Sequence, residues 1–333
     1  MSKEIAAIVF SDLHIGKYNK FNQDNKRTLS IFRVLFDIKE ICVEHNVPAI
    51  FCGDLLHKPE IIENELYDIL VTKFQILDED NGPFKYPFRI YGISGNHDFS
   101  LSNTLSNRSP SWLKTLSKQF KFLRCVDFKN TTIGGKGFGF KLYGIPYIDH
   151  NIGLNEYIRN IKINNTMPNI LLLHTDYPGA KDTDGIEVNS VENLNINLLD
   201  KFDLVLIGHI HKPQRLSKKV YMVGAPYQQR RTDSNCELGY WELYSDMSMK
   251  FIPLKGYPKF IDVESEEDIK DDGNYYTIIS KPKHIEDKPI KRITTDLSPK
   301  RLVKRYLKSK GEFTKDKKDI LLQLIKDSSD DRI

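Results

Sequence analysis

Through the first 250 residues, short apolar and β-branched runs alternate with longer stretches in which apolar residues recur every three to four positions. The runs Ile5–Phe10, Ala49–Cys52, Phe88–Ile93, Lys141–Ile145, Ile170–Leu173, Leu204–Ile207 and Val220–Val223 have the length and composition of strands. Between the first two, Leu29, Phe32, Phe36 and Ile41 follow a helical period, and Leu66, Ile69, Leu70 and Phe74 do so before the third. Both segments read as helices covering a sheet, and the alternation as a whole predicts an α/β sandwich. Glycine and proline then thicken around Pro253 to Pro258, which places a boundary there and leaves a small α+β module over 251–297 with a strand at Tyr275–Ile279. Ser298 and Pro299 offer a cap and a first helical residue, Leu302, Val303, Tyr306 and Leu307 one apolar stripe, and Leu321, Leu324 and Ile325 another. The expected ending is a helical pair over 298–333.

Length agrees with this division, since 333 residues suit one sizeable core plus a smaller module. The 40% hydrophobic and 28% charged fractions exclude a mostly disordered chain. No apolar run approaches the ~18 residues of a membrane span, and Ile5 to Phe10 is too short for a signal peptide, so a cytoplasmic protein with no membrane partner is expected. Cys42, Cys52, Cys125 and Cys236 form no C-x-x-C pair and read as packing residues. The net charge of +4 hides an asymmetry: residues 281–326 carry 15 Lys/Arg against 6 Asp/Glu. Such a basic pair of helices suits nucleic-acid phosphates, while its apolar stripes favour docking on a partner.

The chemistry lies in an ordered series, each member just past a predicted strand: Asp12-Leu13-His14, Gly53-Asp54, Gly95-Asn96-His97-Asp98, His174 and Gly208-His209-Ile210-His211. Active residues of α/β sheets gather at the strands' carboxyl ends. In an extended segment residues i and i+2 point the same way, so Asp12 with His14, and His209 with His211, are each expected to present two ligands to one small volume. Alone, His174 reads as a core histidine and Gly53-Asp54 as a strand-ending turn; their place in the series gives them meaning. Imidazoles, carboxylates and an amide oxygen without thiolate suit Mn²⁺ or Fe²⁺ better than structural zinc or all-oxygen Mg²⁺. Two ions roughly 3.5–4 Å apart, bridged by one carboxylate, accommodate so many ligands. Two divalent cations against Asp12 and Asp54 leave about +2, a charge that attracts phosphate.

This series resembles that of the calcineurin-like metallophosphoesterase superfamily over roughly residues 5–230. Phe10-Ser11-Asp12-Leu13-His14-Ile15-Gly16, Gly53-Asp54-Leu55-Leu56-His57, Ile207-Gly208-His209-Ile210-His211 and Val223-Gly224-Ala225-Pro226 are similar to its SbcD-type nuclease branch. The resemblance implies a two-sheet metallophosphoesterase sandwich over 1–250, a DNA-capping domain over 251–297 and an ATPase-docking segment over 298–333. It implies that Asp12, His14 and His211 hold one Mn²⁺ (other divalent transition metals being possible), that Asn96, His174 and His209 hold the other, and that Asp54 bridges them. His97 would assist the leaving 3′ oxygen, with Asp98 orienting its imidazole. His57 matches a histidine linked to exonucleolytic handling of DNA in archaeal and eukaryotic relatives, where many bacterial and phage members carry aspartate. The implied activity is 3′-to-5′ exonuclease on double-stranded DNA ends and endonuclease on single strands, by a homodimer joined to an SbcC-like SMC-type ATPase. The alternatives are a phosphatase or small-molecule phosphodiesterase of the same superfamily and a non-catalytic DNA-binding scaffold. The glycines from Gly134 to Gly139 lack P-loop spacing and read as a hairpin.

Overall fold

The computed structural model describes residues 3–58, 62–79, 88–99, 110–135, 138–148, 153–188 and 194–279. The expected C-terminal helical pair, and the part of the small module beyond Ile279, lie outside the described residues.

Two six-stranded sheets stack face to face. The first holds β1 (Ile5–Phe10), β2 (Ala49–Phe51), β3 (Ile90–Gly92), β4 (Leu123–Cys125), β11 (Gly239–Tyr244) and β12 (Met249–Pro253), in the order β12-β11-β1-β2-β3-β4. The second holds β5 (Lys129–Gly135), β6 (Phe138–Ile145), β7 (Asn169–His174), β8 (Leu204–Gly208), β9 (Gln214–Arg215) and β10 (Val220–Met222), in the order β5-β6-β7-β8-β10-β9. β1 to β4 run parallel, as do β6, β7, β8 and β10. β11 and β12 add to the first sheet antiparallel, so the strand pattern of the first sheet extends to Pro253. β5 and β6 pair antiparallel around the glycine-rich stretch, which is a hairpin as expected.

The sandwich follows from alternation along the strands. Ala7 and Val9 of β1, Ile170 and Leu172 of β7, and Leu204 and Leu206 of β8 meet in one cluster between the sheets. Their neighbours face outward: Ile8 and Phe10 contact the helical layer, whereas Leu171, Leu173, Val205 and Ile207 join a third cluster on the far side. Strands buried on both faces read as continuous apolar runs, which is why these were legible. The helical layer on the first sheet is α1 (Lys26–His45), α2 (Asn64–Glu79) and α3 (Trp112–Gln119). Of the expected α1 stripe, Phe32 is buried and Phe36 and Ile41 are half-buried against the same cluster, while Leu29 is exposed; Ile31, Leu35, Ile38 and Cys42 form the fully buried line beside them. On α2 the buried positions are Leu66, Leu70, Phe74 and Leu77. The second sheet carries α4 (Leu154–Asn160) through Leu154 and Ile158.

Beyond β12, a two-stranded parallel sheet of β13 (Phe260–Val263) and β14 (Tyr275–Ile278) belongs to the same compact unit, which runs to Ile279. Its rings reach back to the core: Phe260 and Tyr275 surround Phe21 and the Arg27 guanidinium. The cysteines are free, Cys42 and Cys52 buried and Cys125 and Cys236 half-buried. Among the described residues no helix is long and apolar enough to cross a membrane.

Candidate metal centre

The loops that follow β1, β2, β3 and β8 meet the end of β7 at one edge of the sandwich, and they bring Asp12, His14, Asp54, Asn96, His174, His209 and His211 together. The expectation of extended i, i+2 pairs is corrected here. Asp12 (φ 52°), His14 (φ 49°), Asp54 (φ 62°) and His209 (φ 101°) have left-handed backbone, which for such residues costs ~1–3 kcal/mol each. The conformations are held by pairing beyond the strands: Asp12 N–H donates to the Gly53 carbonyl (2.9 Å), His14 N–H to that of Asp54 (3.0 Å) and Ile15 N–H to that of Leu55 (2.8 Å). Gly208 lets the second sheet approach, because a Cβ there would lie 2.2 Å from the Cys52 oxygen and 2.8 Å from His174 Nδ1.

Among the described residues, two groups that include a carboxylate could each hold a cation, Asp12 with His14 and His211, and Asp54 with His174 and His209, their ligand atoms all within 4.8 Å of one another in each group; a third group at the same spacing, His14 with His57 and His97, is all imidazole. Asn96 joins the second, its Oδ1 being 3.0 Å from His174 Nε2 and 3.0 Å from His209 Nδ1. Asp54 stands between the groups, with Oδ2 3.4 Å from His14 Nε2 and 3.4 Å from His174 Nε2. Its Oδ1 accepts the backbone N–H of His97 at 2.8 Å. Asp12 is held by the His209 N–H, 3.2 Å from each carboxylate oxygen.

Several contacts set which ring nitrogen faces the centre. His174 Nδ1 lies 2.8 Å from the Cys52 carbonyl and must donate to it, which turns the Nε2 lone pair toward Asp54. His211 Nδ1 donates to Asp233 Oδ2 (3.2 Å), so its Nε2 faces His14 Nε2 at 3.3 Å. His209 uses the opposite nitrogen, with Nδ1 toward Asn96 and Nε2 3.5 Å from Asp176 Oδ1. Acceptor atoms this crowded repel one another unless a positive charge lies among them, so the donor set fits a pair of divalent cations. The buried polar side-chain atoms without a hydrogen-bond partner, among the described residues, are His14 Nδ1 and His57 Nδ1, both at this site.

Protonation follows the same crowding. Burial opposes the Asp54 charge, yet the His174 and His14 imidazoles outweigh it and hold the carboxyl well below its usual range. Burial pulls His174 down, but Asp54 overrides it and lifts the imidazole to about 9. Burial and the neighbouring histidines lower His14 well below its ordinary value, while burial and His174 lower His209 to about 4. Cations would take over the positive charge that a proton on His174 supplies without them.

His97 and His57 stand beside His14, with His14–His97 ring centroids 4.6 Å apart and the His57 ring stacked over His97 at 5.9 Å. Asp98 does not orient the His97 imidazole as expected. Its buried carboxylate accepts the backbone N–H groups of Asp54, Leu55, Leu56 and Gly95 at 2.9–3.2 Å, and burial beside Asp54 pushes it up to about 7. A carboxylate three residues into a tight turn is drawn to the free N–H groups of the facing loop. His97 Nδ1 instead meets the His57 carbonyl oxygen at 2.6 Å, so His57 acts on His97 through its main chain as well as its ring. Sequence reasoning missed Asp233, Asp176 and Gln229, whose side chain donates to the Asp12 carbonyl. None lies in a motif; Asp176 alone had a signal, standing two residues past His174.

Comparison with solved structures gives distant likenesses. A protein described as a 5′-nucleotidase of Staphylococcus aureus, in complex with α-ketoglutarate, is 18% identical at a TM-score of 0.40, over 67% of this chain and 49% of that one. The sulfate thiohydrolase SoxB of Thermus thermophilus, bound to glycerol, is 12% identical at a TM-score of 0.40, over 76% of this chain and 57% of that one. This chain thus spans about half the length of each. The model of the calcineurin-like phosphoesterase family matches residues 6–213, from β1 through the last histidine of the centre. A sandwich of two sheets with imidazole and carboxylate donors gathered at its strand ends, matched by that family model over more than half of the chain, makes this chain a member of the calcineurin-like phosphoesterase family.

Proposed function

We propose that this phosphoesterase is a Mn²⁺-dependent DNA nuclease, a 3′-to-5′ exonuclease on double-stranded ends and an endonuclease on single strands. Its partner would be an SbcC-like SMC-type ATPase, its state a homodimer, and its setting cytoplasmic DNA end processing, recombination and repair. The observation that carries phosphodiester hydrolysis is Asp54, equidistant from His14 and His174 and locked by the His97 N–H. Bound ions would supply Lewis-acid activation and charge neutralisation at phosphorus. Asp12, His14 and His211 would hold one, Asn96, His174 and His209 the other, with Asp54 shared. His97 is half-exposed, and its Nδ1–H bond to the His57 carbonyl directs Nε2 away from that contact, so that the doubly protonated ring would present an Nε2–H to a departing sugar oxygen and keep the Nδ1 proton in place as it gives the other up. His57 would support that step by fixing the ring. Asp98 would contribute by pinning the loop that carries Asp54.

The choice of DNA rests on the resemblance of the segments 10–16, 53–57, 207–211 and 223–226 to SbcD-type nucleases and on the basic stretch over 281–326. In this reading 1–250 is the nuclease domain, 251–297 the DNA cap and 298–333 the segment that docks on the ATPase. The test is incubation of the purified protein with end-labelled duplex and hairpin DNA and with small phosphate esters, with and without Mn²⁺. Mn²⁺-dependent shortening of duplex ends is the expected result. Strong turnover of small esters with intact DNA would instead make it a phosphatase or small-molecule phosphodiesterase, and DNA binding without cleavage a scaffold. Deleting residues 298–333 should spare cleavage while abolishing co-purification with the ATPase.

A further inference from the structure

We infer that Asp233 is a positioning residue for one of the two cations: it fixes the ring of His211 so that Nε2 is presented to the centre. The inference rests on the dinuclear reading above. Asp233 lies 22 residues beyond His211, in a single 3₁₀ turn over Arg231–Asn235, and is fully buried. Its Oδ2 receives His211 Nδ1 (3.2 Å), Gln229 N–H (2.9 Å) and Arg230 N–H (3.2 Å), and its Oδ1 receives Arg230 Nε (3.2 Å). A carboxylate with no exposure and this many donors is rigid, and a histidine tied to it cannot turn. Only one tautomer satisfies the contact, with the proton on Nδ1 and the lone pair on Nε2.

The same loop reaches the other members of this ligand group. Gln229 Nε2 donates to the Asp12 carbonyl, Tyr227 Oη to that of Leu13 (3.0 Å), and the Gln229 carbonyl accepts from Arg27. The segment 227–233 therefore grips the loop from Asp12 to His14 from one side and His211 from the other. The second group is held by different means: His174 by the Cys52 carbonyl and His209 by the half-exposed Asp176. Loss of Asp233 should thus be felt by one ion and not by its neighbour. A merely structural role would weaken both or neither.

The test is Mn²⁺ titration of the full chain by calorimetry, with electron paramagnetic resonance to register whether the bound ions are coupled. The wild type should take up two coupled ions. Asp233→Asn should weaken one of them by about 10–100-fold, the usual cost of losing a partner behind a ligand, and leave the other at wild-type affinity, with the coupled signal replaced by that of an isolated ion. His211→Ala should show the same pattern, and the double variant should be no worse than His211→Ala alone. Two ions at wild-type affinity in Asp233→Asn would overturn the inference, as would equal weakening of both or additive losses in the double variant. A wild type that binds fewer than two ions would overturn the dinuclear reading itself, and this inference with it.

Discussion

Replacing Gly95 with alanine strikes the shared carboxylate without touching a ligand. A Cβ at this position would lie 2.1 Å from Asp54 Oδ1, 2.4 Å from Asp54 N and 2.7 Å from Asp54 Cγ. The nearest of these falls more than an ångström short of ordinary van der Waals contact. The backbone has little room to yield, since Gly95 N–H and Asp54 N–H both donate to Asp98 Oδ2 (2.9 and 3.1 Å) and Ile93 N–H to the Phe51 carbonyl (3.1 Å). Asp54 must therefore shift, its main-chain nitrogen as well as its carboxylate, and metal sites tolerate displacements of only about 0.2 Å in ligand distance. Overpacking of this kind costs ~1–3 kcal/mol of stability, less than the ~5–15 kcal/mol that holds a typical fold, so the variant should remain folded. Because both cations share Asp54, both should weaken together, by on the order of 100-fold or more. Calorimetric titration with Mn²⁺, beside a melt of the metal-free protein, measures the two effects separately. Gly134→Ala is the control, for there the nearest heavy atom to a new Cβ is the Phe138 oxygen at 3.7 Å. If Gly95→Ala binds two ions as tightly as Gly134→Ala does, the carboxylate is not where the bridging argument needs it.

Other expectations are separable from this one. His97→Ala keeps the backbone N–H that holds Asp54, so Mn²⁺ stoichiometry should be unchanged while phosphodiester turnover falls by about 10²–10⁴-fold; undiminished turnover would remove His97 from the reaction. Asp54→Asn preserves size but removes the charge facing His14 and His174, and should abolish both metal uptake and cleavage in a folded protein, as read by calorimetry and circular dichroism. Chelation with EDTA should lower the melting temperature, since ions that bind only the native chain stabilise it by about 2.7 kcal/mol at a hundredfold excess over Kd; an unmoved transition would argue against preformed sites. Leu172→Ala, at the centre of the cluster between the sheets, should cost about 2–5 kcal/mol in denaturant melts, whereas Leu29→Ala on the exposed face of α1 should cost far less.

Much of this molecule was readable before folding was considered. Strands such as Ile5–Phe10, Ile170–Leu173 and Leu204–Ile207 announce themselves because burial on both faces demands unbroken apolar runs. Strand β5, with the sequence Lys-Asn-Thr-Thr-Ile-Gly-Gly, lies at a sheet edge and is mostly polar, so no hydrophobic signal marks it. β11 and β12 close the first sheet from more than 230 residues away, and nothing local to Gly239–Pro253 says which strand they pair with. On α1 the expected Phe32, Phe36 and Ile41 do pack on the core but Leu29 faces outward, because periodicity identifies an amphipathic helix more firmly than the edge of its buried face.

At the centre the division is sharper. Residue type and order alone determined which side chains are present to bind cations, because oxygen and imidazole donors following parallel strands have little other use in such density. Only the folded chain decided how those donors are aimed. Left-handed backbone at Asp12, His14, Asp54 and His209, the diversion of Asp98 to four backbone N–H groups, and the pairing of His211 with Asp233 depend chiefly on contacts between loops that are far apart in sequence. Hydrogen bonds across such distances depend on where chains converge in space, and that information does not exist in any one stretch of sequence.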